Sequence, residues 1–138
     1  MRFTAIDIET TGLGPEKAKI IEIGAAKYED GVQKEVFSTL VRPQTAGIPE
    51  RITELTGITE EMVKDAPDEK SALERFIAFA GKGVLVAHNA DFDTGFIRLA
   101  AERQGIDYEI RAIDTLALCR AALPHLKKHK LDVVAKEY

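Results

Sequence analysis

Residues 1–30 read MRFTAIDIETTGLGPEKAKIIEIGAAKYED, and the first ten of them decide how the rest is read. Phe3, Ile6, Ile8 and Thr10 have the β-branched and aromatic character of a strand, and Gly12, Gly14 and Pro15 end it. Successive strand residues point to opposite faces, so Asp7 and Glu9, two apart, share one face. One reading is an ordinary half-exposed strand, with Thr4, Ile6 and Ile8 toward a core and both acids toward water. The other is a site. Paired carboxylates repel unless a cation lies between them or one takes up a proton. Oxygen-only ligands suit a hard ion, Mg²⁺ or Mn²⁺.

Outward from this stretch, residues 18–28 predict a second strand and 35–42 a third, with Glu29-Asp30-Gly31 as a hairpin signal. Three strands joined by short turns imply an antiparallel meander, closed by Pro43. Residues 44–70 are rich in Thr, Pro, Gly and acids, and short helical turns are expected near 49–55 and 59–63. Thr59, followed by Glu60 and Glu61, reads as an N-cap. From 71 to 80, Leu73, Phe76, Ile77 and Ala80 recur at helical spacing before Gly81 and Gly83. A short buried strand is expected over 84–87. A helix should follow over 91–104 with Phe92, Phe96, Leu99 and Ala100 inward, then a strand over 110–113, and helices over 115–123 and 131–138. A meander followed by alternating helix and strand is an α/β fold: a mixed sheet, antiparallel then parallel, flanked by helices.

The 138 residues show no repeat, low-complexity tract or linker, so residues 1–138 are read as a single domain. With 45% hydrophobic and 30% charged residues the chain can build a core. No apolar run reaches membrane-spanning length, and Asp7 and Glu9 stand where a signal peptide needs an apolar core. Cys119 is the sole cysteine, which excludes an internal disulfide. A cytoplasmic protein without membrane contact is expected. The net charge of −4 argues against gripping nucleic acid by bulk positive charge. It leaves room for an enzyme that meets phosphates through metal ions held by its own acids. The basic stretch with Arg120, Lys127, Lys128 and Lys130, and His125 and His129 among them, reads as a solvated flank.

A second constellation, His88-Asn89-Ala90-Asp91-Phe92-Asp93, follows a strand and opens a helix, a place where α/β sheets build sites. Asp91 is expected to cap the helix. Asp93, within the first turn, would project toward Asp7 and Glu9, since positions two apart on a helix face differently.

Asp7-Ile8-Glu9-Thr10-Thr11-Gly12 and His88-Asn89-Ala90-Asp91-Phe92-Asp93 resemble the first and second motifs of the DEDD exonucleases. With Pro49, Leu55-Thr56-Gly57-Ile58 between them and Ile113-Asp114-Thr115 after them, the order and spacing resemble the epsilon-type proofreading exonucleases of bacterial DNA polymerase III, of the DEDDh branch. The resemblance covers nearly the whole chain. It implies a ribonuclease H-like sheet and 3′→5′ hydrolysis of DNA from a single-stranded 3′ end, releasing nucleoside 5′-monophosphates, with a DNA polymerase subunit as partner. It further implies a two-metal site of Mg²⁺ or Mn²⁺ on Asp7, Glu9 and Asp93. Thr10, Thr11, Gly12 and Leu13 would hold the terminal nucleotide, Thr56 and Ile58 would lie against its sugar and base, and His88 and Asn89 would position the site. Asp114 corresponds to a buried structural acid, and Thr56 stands where some relatives carry histidine. Two cations supply an activated water, charge neutralisation and help for the leaving oxygen.

The chain departs from that branch at its end. The branch closes with a histidine and, five residues on, an aspartate; here Lys130 follows His125 by five and Val134 follows His129 by five. Both histidines are therefore read as surface residues. The polypeptide is expected to continue past Tyr138 with the missing pair. Two other readings stay open: an RNA-trimming exonuclease of the same superfamily, and a non-catalytic module that binds nucleic acid or a polymerase.

Overall fold

The computed structural model describes residues 1–44 and 47–137. Five strands form one mixed sheet in the order β3-β2-β1-β4-β5. They are β1 (Arg2–Thr10), β2 (Ile20–Glu29), β3 (Val32–Leu40), β4 (Leu85–Ala87) and β5 (Ala112–Asp114). The helices are α1 (Glu50–Thr56), α2 (Glu60–Val63), α3 (Glu69–Ala80), α4 (Ala90–Arg103), α5 (Thr115–Ala122) and α6 (Leu131–Glu137). The expected end of the last helix, Tyr138, lies outside the described residues. Among the described residues no helix is long and apolar enough to cross a membrane.

β1, β2 and β3 are antiparallel neighbours, and β4 joins β1 in parallel through Thr4–Leu85 and Ala5–Val86. The meander forms because Asp30 (φ 50°) and Gly31 (φ 81°) both take the left-handed conformation a two-residue type I′ turn requires. The third strand therefore begins at Val32, three residues earlier than the alternation of 35–42 predicts, and ends at Leu40.

The period-2 pattern of β1 sorts its residues. Thr4, Ile6, Ile8 and Thr10 are buried on one face, and Ile8 sits opposite Ile23 of β2. That face packs on α3 and α4 through Leu73, Phe76, Phe96 and Ile97, which are almost wholly removed from solvent. A smaller cluster of Ile21, Ile48, Ile58 and Val63 anchors α1 and α2 beside the sheet. Thr59 caps α2 as expected, its hydroxyl accepting the Met62 N–H at 3.2 Å. Glu69, buried at the start of α3, takes a forked pair of hydrogen bonds from Arg103 (2.9 and 3.2 Å) and one from Gln104 (3.1 Å). This fastens the two core helices across their ends.

Candidate active site

β4 stops at Ala87 after pairing with only the first half of β1, and this leaves the second half of β1 open along one edge. The Thr4 N–H points toward β4 and donates to the Val84 carbonyl at 2.9 Å. Ile8 has the same parity, so its N–H points the same way, past the end of β4. There α4 places the Asp93 carboxylate, near enough for the Ile8 N–H to favour its charged form. Asp93 thus stands beside the strand that carries Asp7 and Glu9, itself only 5% exposed.

The electrostatics follow from this placement. Burial, then the charges of Asp7 and Glu9, push the Asp93 carboxyl up to about 7, against the opposing Ile8 hydrogen bond. Asp7 opens to solvent as a residue, yet the protein around its carboxyl raises its pKa, again opposed by Ile8 N–H. Glu9, half-buried, is raised by burial first, then by Asp7 and by Glu22. Glu22 lies directly across the β1–β2 ladder from Glu9, so a fourth acid faces this cluster. Among the described residues none of these acids forms an ion pair. Nor do three of them converge tightly enough to cage an ion as they stand.

Beyond Glu9 a cleft of about 380 Å³ opens between the loop after β1 and α1. Thr10, Gly12, Leu13 and Thr56, singled out from sequence, line it with Ile8, Glu9, Arg51, Ile52, Leu55 and Phe92. Thr11 stands just behind, where its N–H donates to the Lys19 carbonyl and its hydroxyl accepts the Lys19 N–H, both at 2.9 Å, clasping the loop. Ile58 is not part of the wall. Its side chain is buried in the smaller core cluster, its N–H bonds to Thr56 Oγ1 and its carbonyl accepts from Thr53. It backs α1 rather than facing the cleft.

His88 and Asn89 sit at the end of β4. The His88 Nε2–H donates to the His129 carbonyl, and Nδ1 lies 3.1 Å from the Thr115 hydroxyl, so the ring joins β4 to α5 and to the segment before α6. Asn89 (φ 64°) turns the chain into α4, and its N–H goes to Asp114 Oδ1 at 2.9 Å.

Two expectations need correction. Asp91 does not cap α4: the N-cap position is Asn89, which makes no side-chain cap bond, and Asp91 is exposed. The capping acid is Asp114, which arrives from β5 and also accepts the Leu116 N–H at 2.9 Å to cap α5. Burial would raise the Asp114 pKa, but the N–H groups of Ala90, Leu116, Asn89 and Ala117 together hold it below the usual value. His129 is half-buried rather than a surface residue, its Nε2–H donating to the Leu123 carbonyl at 2.7 Å, whereas His125 is exposed.

Sequence reading missed Glu22, Arg51 and Ile52 as neighbours of the acids. Phe92 and Leu55 were noted only as an inward helix residue and a motif residue.

The family model RNase_T, described as exonuclease, matches residues 4–138. The chain is 47% identical over 134 residues to a PolC-type DNA polymerase III of Clostridium perfringens, covering 97% of this chain and 9% of that protein. It is 40% identical over 136 residues to the PolC-type enzyme of Thermotoga maritima, covering 98% and 10%. The chain thus spans about a tenth of the length of these relatives. Among solved structures, exonuclease X bound to 5′-overhanging duplex DNA is 31% identical with a TM-score of 0.71, covering 91% of this chain and 66% of that one. Product-bound exonuclease I shares the fold, with a TM-score of 0.85 at 18% identity, covering 98% and 37%. An open-edged sheet carrying paired acids, a third acid delivered by α4, and a family match over nearly its full length place this chain in the RNase_T exonuclease family.

Proposed function

We propose that this exonuclease domain removes nucleotides from the 3′ end of single-stranded DNA, in the manner of a proofreading nuclease, with divalent cations held by Asp7, Glu9 and Asp93. The observation that carries the reading is a buried Asp93 set against the Asp7–Glu9 pair with no basic partner among the described residues. Buried charges are held apart from water at a cost unless paired or bound to metal. An all-carboxylate donor set fits Mg²⁺ or Mn²⁺. Cations bound there would activate a water and neutralise charge on the scissile phosphate.

The chain's own residues do the rest. The Ile8 N–H favours the charged form of Asp93. Thr10 and Thr11 hold the loop that presents Leu13, since the Thr10 hydroxyl donates to the Gly12 carbonyl at 2.6 Å. The cleft between this loop and α1 accepts the terminal nucleotide against its apolar walls. His88 and Asn89 fix the start of α4, and with it Asp93. The PolC-type relatives supply a polymerase context, so a replicative DNA polymerase is the natural partner. A cytoplasmic location accords with that role.

Single-stranded DNA and RNA of equal sequence, labelled at the 5′ end, should be compared in Mg²⁺ and in EDTA. Stepwise, Mg²⁺-dependent shortening of DNA that disappears in Asp7→Ala supports the reading. Shortening of RNA alone would move the substrate to RNA, and shortening that persists in Asp7→Ala would overturn the site.

A further inference from the structure

Among the described residues, the cleft beside Glu9 keeps one unengaged side-chain cation. The hydroxyls on its walls are occupied: Thr10 donates to the Gly12 carbonyl, and Thr56 donates to the Ile52 carbonyl at 2.8 Å while accepting the Ile58 N–H. Leu13 and Leu55, 83% and 80% exposed, flank it, and Phe92 closes it. Arg51 lines the same cleft from the exposed side of α1 and makes no hydrogen bond or ion pair with any described residue. Glu9, which lines the cleft from β1, forms no ion pair with it.

We propose that Arg51 positions the DNA end, its guanidinium holding a backbone phosphate of the strand whose terminal nucleotide the cleft accepts. The inference rests on the nuclease reading and deepens it by naming the contact that supplies affinity. The chain carries a net charge of −4, and Asp7, Glu9, Glu22 and Asp93 turn like charge toward a polyanion. A cation at the edge of that field offsets the repulsion where the strand enters. Guanidinium suits the task because it stays charged, is weakly hydrated and presents a planar fork to phosphate. The cleft volume falls within the range of small-ligand sites. Apolar packing on a base is indifferent to its identity, and a phosphate contact carries no sequence information. Together they suit an end-binding site that must accept any nucleotide. The contact is equally present before and during hydrolysis, so its loss should raise KM and spare kcat.

The test uses the whole chain and 5′-fluorescein oligo-dT and oligo-dA, with binding read by anisotropy in EDTA over a salt series. Arg51→Ala should weaken both equally, by about tenfold, and reduce the slope of log K against log salt by about 0.7, the value for one phosphate contact on a single strand. In Mg²⁺ its KM should rise with kcat within about twofold. Arg51→Gln, which keeps the stem, must reproduce the loss even if the alanine variant melts early. Arg75→Ala, exposed on α3 away from the cleft, should match wild type. Unchanged affinity and slope in Arg51→Gln would overturn the proposal. So would a loss confined to one base with the slope intact, which means a base contact. A wild-type chain that neither binds nor shortens the strand would overturn the nuclease reading itself, a result distinct from either.

Discussion

The backbone N–H of Asn89 donates to the carboxylate of Asp114, at 2.9 Å, so the helix that carries Asp93 is capped from the neighbouring strand rather than from its own sequence. One side chain serves the starts of both α4 and α5. Asp114→Ala should therefore lower stability by about 1–2 kcal/mol, the usual range for losing an N-cap. Asp91→Ala should stay within about 0.5 kcal/mol of wild type, as exposed substitutions do. Urea unfolding of both variants checks this; the reverse order would return the cap to Asp91.

The acid cluster makes the metal-free chain sensitive to pH in a definite direction. Asp93 has a folded pKa of about 7 against a usual value of 3.8, so the folded state holds its proton more tightly than the unfolded state. Its contribution to stability is complete below about 3.8 and is lost as pH rises through about 7. In EDTA, wild type should lose stability between pH 5 and pH 8 relative to Asp93→Asn, by up to about 3 kcal/mol, and Mg²⁺ should return part of it at pH 8. Thermal melts of the two chains at both pH values decide it; parallel curves would show that Asp93 ionises freely.

Glu69 and Arg103 offer a test of the core that leaves the site alone. Glu69 is buried, and Arg103 supplies two of its three hydrogen bonds. Arg103→Ala strands a buried carboxylate and should cost about 3–5 kcal/mol at neutral pH. The double variant Glu69→Gln with Arg103→Ala should recover part of that, because the unpaired charge is gone. Chemical denaturation of the two variants measures the difference; equal losses would show that the charge is not the cause.

The sequence made much of this architecture readable, and the gaps have physical reasons. Asp7 and Glu9 on one face followed from the strand's period of two, and Thr59 as a cap followed from local chemistry. Asp91 misled because helix capping came from Asp114, 23 residues later and one strand over, which local propensity does not register. Glu22 was missed because its pairing with Glu9 depends on the β1–β2 register. That register is set across the loop after Thr10 and shifted by an irregularity between Glu9 and Thr10. Exposed Val32 and Val36 blurred the alternation of β3, so its start was misplaced. Arg51 and Leu55 meet Glu9 only through the folded position of α1, and no periodicity marks an exposed residue as the wall of a cleft.

The central claim, that Asp7, Glu9 and Asp93 together hold a divalent cation, is tested most directly by titrating Mn²⁺ into the chain and following the EPR signal of the free ion. Wild type should deplete that signal, and Asp7→Ala and Asp93→Asn should each weaken binding by at least about tenfold, equivalent to roughly 1.4 kcal/mol. Mn²⁺ affinity unchanged in both variants would contradict the account.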